Sequence, residues 1–185
     1  AFEGYDYARA LERTEAFFWG FCDDYVELVK NRAYGTLGAE AAASAQVTLQ
    51  LALSTLLRLF APFLPFVTEE VWSWWQDGSV HRAPWPAAAE LDLGGAAAED
   101  GALVDDVAWV LGHVRSAKSA AKRSMRWPVA RVTVVASPAR IAGISLAADD
   151  LKEAGVVAEL VLRDSGKDDD GADDGVDVEL APEAA

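Results

Sequence analysis

Apolar positions in residues 4–30 recur at three- and four-residue steps: Tyr7, Leu11, Phe18, Cys22, Tyr25, Val26 and Val29. That spacing predicts an amphipathic helix. Lys30 and Arg32 fall at its end, where cations meet the negative pole of the helix dipole. Gly35 and Gly38 mark a loop. Over residues 39–61 an alanine-rich start gives way to Val47, Leu49, Leu51, Leu53, Leu56, Leu57, Leu59 and Phe60. These cover most of the circumference, and a helix apolar nearly all round belongs at the centre of a bundle.

Two prolines then interrupt the pattern. Pro62 lacks an N–H and clashes with the preceding turn, so the helix is expected to end near Ala61. Pro65 suits the first turn of a new helix, and Thr68, Glu69 and Glu70 suit its beginning. Val71, Trp72 and Trp75 form one apolar face, and Phe63 and Phe66 are expected to fill the corner. Residues 79–86 hold two prolines and read as extended. Residues 87–101 are rich in alanine, glycine and acid, and read as a loop or linker.

The helical period returns from Ala102 with Leu103, Val104, Val107, Val110, Leu111 and Val114, and is expected to run to about Lys122 or Arg123. Residues 129–136 alternate and are β-branched, so they read as a strand. Residues 140–153 read as helix, 156–162 as strand, 164–175 as an acidic low-complexity turn, and 176–180 as a short last strand. The predicted fold is mainly α. A helical bundle (1–78) is followed by an extended segment and linker (79–101), a small α+β subdomain with a basic helix (102–180) and a tail (181–185).

Composition narrows the classes. The chain has 185 residues, 52% hydrophobic and 25% charged, enough for a packed core. Most of its seven tryptophans are expected in that core. The lone cysteine, Cys22, excludes a disulfide framework and points to a reducing compartment. No apolar run is long enough for a membrane span, and the N-terminus is unlike a signal peptide. A cytoplasmic protein is the expectation.

Charge adds the first non-uniform feature. The net charge is −14, yet residues 107–148 carry seven basic side chains and no carboxylate. Local field, not net charge, steers a polyanion. Within that stretch Arg115, Lys118 and Lys122 step by three and four, the spacing of one helix face. Arg123 and Arg126 follow, with serines among them and Trp127 after. Such a set fits a phosphate backbone with a stackable base nearby. It fits equally well a solvated face pairing with the acidic remainder of the chain.

No nucleophile–base constellation accompanies it. His81 and His113 are 32 residues apart, and one cysteine with two histidines lacks metal-ligand spacing. Glu69 and Glu70 are adjacent and point about 100° apart on a helix, as first-turn carboxylates rather than an acid/base pair. There is no glycine-rich phosphate loop, and the Asp168–Asp170 run lacks the ligand spacing of a calcium loop.

The corner carries a second kind of information. Residues 58–72, RLFAPFLPFVTEEVW, resemble the signature of the helical anticodon-binding domain of class I aminoacyl-tRNA synthetases for valine, isoleucine and leucine. Three further blocks resemble that domain in the same order: FFWGFCDDYVELVKNRAY (17–34), SVHRAPWP (79–86) and VRSAKSAAKRSMRWPV (114–129). The wording is most like valyl enzymes, with isoleucyl close behind. The resemblance implies a C-terminal fragment that binds the anticodon region of tRNA, the valine tRNA by preference. Aminoacylation would be done by a catalytic domain whose His-x-Gly-His and Lys-Met-Ser-Lys-Ser motifs are absent here.

The implied partners are tRNA and the remainder of the synthetase chain, with no membrane and no DNA. No cofactor or metal is implied in these residues, ATP and magnesium serving the catalytic domain. The tRNA contacts it implies are Arg115, Lys118, Lys122, Arg123 and Arg126, with Lys30 and Arg32 secondary. Trp127 and Tyr34 are the candidates for stacking a base. A helical protein–protein interaction module is the alternative from another class.

Overall fold

A computed structural model describes residues 1–91, 101–166 and 174–183. Most of the expected linker (87–101) and of the acidic turn (164–175) lies outside these residues.

The first helix is one rod in three parts. α1 (Tyr7–Gly20) opens on Asp6, whose side chain accepts from Arg9 N. A π-helical stretch, Phe21–Val26, leads into α2 (Glu27–Ala33). Phe17, Phe21 and Tyr25 stack in a ladder at 5.8 and 5.2 Å. α3 (Ala39–Phe60) follows Gly38, which sits at φ 94°, a conformation glycine adopts freely. α4 (Pro65–Ser73) begins with proline at its first position, as the sequence implies.

The corner between α3 and α4 is built from backbone. Phe63 N and Leu64 N both donate to Phe60 O, and buried Thr68 donates its hydroxyl to Leu64 O at 2.8 Å. Glu69 latches the next segment by accepting from Ser79 Oγ and Val80 N. That segment holds a 3-10 turn, Val80–Arg82, where an extended run was expected. Another, Ala88–Leu91, opens the expected linker, and its Glu90 grips buried Arg58 through both carboxylate oxygens. The Arg58 guanidinium holds the Glu90 carboxyl below its ordinary pKa. Phe66 does not fill the corner: it is 89% exposed, because the first turn of α4 points it away from α3. Nor are most tryptophans core. Trp72 is buried, while Trp19, Trp74 and Trp85 are more than half exposed.

α5 (Gly101–Ala120) runs into a turn, then β1 (Val129–Ala136). α6 (Pro138–Leu146) and α7 (Ala148–Gly155), split at Ala147, cross over to β2 (Val157–Asp164), and β3 (Gly175–Leu180) completes the sheet. The order is β2-β1-β3, with β1 parallel to β2 and antiparallel to β3. A register irregularity between Val129 and Arg131 resets the alternation, so Val129 and then Val132, Val134 and Ala136 face inward.

One main core joins bundle and sheet. Leu28 and Val29 of α2 and Ala45 of α3 pack in the same cluster as Val107, Val110, Leu111, Val114, Val132, Ile144 and Leu151. The packing therefore crosses the boundary between the expected bundle and subdomain. A smaller core, Leu57, Ala61, Trp72 and Val80, sits under the corner.

Lys118 is the unexpected member of the main core. It is 1% exposed and continues the stripe of Val107, Leu111 and Val114. Its ammonium donates to Met125 O and to Gly155 O, each at 2.8 Å. Burial pushes its pKa down. Gly155 O lies at the C-terminus of α7, where a cation meets the negative end of the dipole. The next residue, Val156, holds φ 53°, a left-handed conformation costly for a β-branched side chain.

Val29→Ala is expected to cost about 2–3 kcal/mol in urea unfolding, with the sheet and the bundle melting together, whereas Val67→Ala at the surface costs less than about 0.5 kcal/mol. Lys118→Met, which orphans two carbonyls, is expected to cost about 1–3 kcal/mol. A folded-state pKa below the unfolded one means that the wild-type lysine contributes more as pH rises through the folded value towards the ordinary 10.5. Denaturant midpoints of wild type and Lys118→Met should accordingly diverge between pH 7 and pH 10, and a constant gap would refute this.

Candidate nucleic-acid interface

The candidate face is the turn between α5 and β1. α5 ends at Ala120, earlier than its sequence implies, and closes through Lys122 at φ 53°. Lys122 N donates to Ser119 O and Arg123 N to Lys118 O, so the last carbonyls of the helix are satisfied. Arg115, Lys118 and Lys122 consequently do not share one exposed helix face. Lys118 points inward, and Lys122 lies beyond the helix end.

Most of the cations singled out in the sequence are engaged within the chain. Arg115 reaches the π-helical stretch, donating to Asp24 Oδ1 at 3.0 Å and to Asp23 O at 2.7 Å. Arg123 pairs with Glu183 at 3.0 Å, which raises the guanidinium pKa and lowers that of the carboxyl. Its guanidinium carbon also lies 4.1 Å from the Trp127 ring centroid. Lys30 pairs with Glu27 in its own helix. Arg32 binds Asp150, a carboxylate buried in α7, and so ties α2 to α7. Arg131 and Arg140, in the same carboxylate-free stretch, pair with Glu159 and with Asp106 and Asp174.

Lys122 and Arg126 differ. Both are exposed, and among the described residues neither has a carboxylate partner. Trp127 is half-buried, its indole N–H donating to Ala181 O at 3.0 Å, and Arg123 covers one ring face. Tyr34 is 85% exposed at the end of α2. An open cleft of about 290 Å³ adjoins the turn, lined by Pro128, Val129, Lys152, Glu153 and Val156 among others, so its one cation stands beside a carboxylate. Lys152 was missed in the sequence, because it stands in the acidic helix ADDLKEAG and nothing local marks it as a neighbour of Pro128.

What the arrangement can do is bind anions without chemistry. The turn carries Lys122 and Arg126, unpaired among the described residues, Lys152 lines the cleft beside its Pro128, and Lys118 holds its Met125 carbonyl from within. Among the described residues no cluster of histidine, cysteine, aspartate and glutamate is placed to hold a metal ion. Nor is any described helix long and apolar enough to cross a membrane.

Comparison with known proteins identifies the family. The family described as the anticodon-binding domain of tRNA ligase matches residues 1–134. The chain is 57% identical to the valine–tRNA ligase of Thermobifida fusca over 182 residues, covering 98% of this chain and 20% of that protein. It is 52% identical to the valine–tRNA ligase of Salinispora arenicola, covering 86% of this chain and 20% of the relative. Against that of Bifidobacterium longum subsp. infantis it is 40% identical, with 100% and 21% covered. The chain thus spans about one fifth of the length of the relatives it matches. With the match running from α1 through the corner and the basic turn into β1, the chain belongs to the family of anticodon-binding domains of tRNA ligases.

Proposed function

We propose that this chain is the part of a valine–tRNA ligase that holds the anticodon region of the valine tRNA. It positions the tRNA while a catalytic domain outside these residues, with ATP and magnesium, charges the 3′ end. The observation that carries the reading is the position of the two unpaired cations. Lys122 and Arg126 lie inside the segment that matches the anticodon-binding family. The similarity to valine–tRNA ligases across nearly the whole chain supports valine as the amino acid.

The interaction is electrostatic and shallow. Arg115, Arg123 and Arg32 already spend their charge on carboxylates of this chain, so they shape the face rather than bind phosphate. Lys122 and Arg126 supply the phosphate contacts. Trp127 offers an edge, since Arg123 occupies one of its faces. Base readout falls to exposed side chains of the bundle, of which Tyr34 is the candidate.

Titration of the protein against anticodon stem-loops for valine, isoleucine and an unrelated amino acid, at two salt concentrations, tests the reading. Salt-sensitive binding with a preference for the valine loop is expected. Equal binding to all three loops would refute the specificity, and no binding would refute the function. Lys122→Gln with Arg126→Gln is expected to lower the slope of log K against log salt by about 2. Lys118→Met should leave that slope unchanged wherever the protein remains folded, because its ammonium faces carbonyls rather than solvent.

A further inference from the structure

The arginine–carboxylate pairs around the basic turn are not held alike. Arg32 meets Asp150, which is buried in α7. Arg115 meets both the Asp24 carboxylate and the Asp23 carbonyl. Each of these ties one helix to another. Arg123 has a single carboxylate partner, Glu183 at 3.0 Å, and that side chain is 71% exposed.

Glu183 reaches Arg123 from a segment laid over the turn. β3 ends at Leu180, and the next residue is fastened twice. Ala181 N donates to Pro128 O, and the Trp127 indole N–H donates to Ala181 O, each at 3.0 Å. Two residues further on, the Glu183 side chain is held, among the described residues, by Arg123 alone. Arg123 itself follows Lys122 directly and precedes Arg126 by three positions. Its guanidinium carbon lies 4.1 Å from the Trp127 ring centroid, a contact that keeps the planar fork in place whichever anion it faces.

A guanidinium takes a carboxylate or a phosphodiester with the same pair of N–H donors. Glu183 therefore stands where a phosphate would bind. An exposed pair of this kind is weak enough to exchange. A lone anion offers Arg123 nothing that Glu183 does not, and Glu183 is tethered, so it competes at a high effective concentration. A polyanion also meets Lys122 and Arg126, and those added contacts tip the exchange.

We propose that Arg123 is a third phosphate contact of the anticodon-binding face and that Glu183 is its built-in competitor. In the free protein the pair shapes the face. When tRNA settles, the Glu183 side chain swings into solvent, Ala181 stays fastened, and a phosphodiester takes over the guanidinium. The face thereby disfavours single anions and favours a ligand that engages three cations at once. The inference rests on the tRNA-binding reading and deepens it.

Stem-loop titrations of the full polypeptide test it, with wild type, Glu183→Gln, Arg123→Gln and the double variant. Glu183→Gln is expected to raise affinity for the valine stem-loop roughly two- to fivefold at low salt, the range an exposed ion pair spans. Glu183→Ala, which leaves no acceptor, should do at least as much. Arg123→Gln should lower the slope of log K against log salt by about 1. In the Arg123→Gln background, Glu183→Gln should change nothing. An equal gain in both backgrounds would mean diffuse repulsion and overturns the proposal. Exchange protection of the Trp127 indole N–H is followed alongside, and it should persist in the variants and in the complex. Its loss in the complex would mean that the whole segment leaves, which overturns the side-chain exchange. Wild type that binds normally while Glu183→Gln and Glu183→Ala gain nothing overturns this inference alone. Absence of binding by all of these proteins overturns the tRNA reading with it.

Discussion

A buried ammonium answered only by backbone carbonyls holds the second half of the molecule in place. Lys118 donates to Met125 O in the basic turn and to Gly155 O at the end of α7. A charge removed from water costs more than a neutral group, so its bonds must be made. Two residues of left-handed backbone, Lys122 and Val156, stand beside the segments it ties together. Gly155 is part of the same constraint. A Cβ there would meet Val157 Cγ2 at 2.8 Å, so the residue that presents its carbonyl to Lys118 must be the smallest one. Strained backbone persists where its surroundings over-determine it. Here the surroundings include the Lys118 bonds and the backbone bonds that close each turn.

The charge pattern of the chain follows from this arrangement of partners. A stretch with seven basic side chains and no carboxylate looks in sequence like a continuous binding face. In the folded chain, acidic residues from before and after it come to meet it: Asp24 to Arg115, Glu159 to Arg131, Asp106 and Asp174 to Arg140, Glu183 to Arg123. The pairing reading is therefore realised for four of the seven. Most of the basic stretch is internal counter-charge, and Lys122 and Arg126 are the remainder. The strongly negative remainder of the chain opposes indiscriminate binding of polyanions, which leaves the turn bearing Lys122 and Arg126 as a local positive feature.

The elements were largely legible because local patterns dictate them. Two prolines set the corner between α3 and α4, and β-branched alternation set β1. What stayed illegible depends on partners distant in the chain. Arg32 and Asp150 stand 118 positions apart. No helical period says that a basic residue at a helix end is neutralised there. Lys118 left a signal that could have been used, since it stands four residues beyond Val114 on an otherwise buried stripe. Its basic neighbours outweighed that spacing. Phe66 was misplaced for the opposite reason. Sequence shows that a residue is apolar, but not whether the chain itself supplies a cover for it.

The relation between bundle and sheet rests on two kinds of force with different consequences. Leu28, Val29 and Ala45 supply apolar burial against α5 and α7, which is strong but tolerates sliding. Arg32 with Asp150, and Arg115 with Asp24 and the Asp23 carbonyl, supply direction. Partly exposed ion pairs such as these add little net stability, but they specify direction. Arg115 meets the chain at the π-helical stretch, so the irregular turn of the first helix and the basic helix of the second unit are set by one contact. The turn bearing Lys122 and Arg126 follows directly from α5. Its orientation to the bundle is therefore set within the chain, by Arg32, Arg115 and the shared core, so the surface the turn presents is preformed.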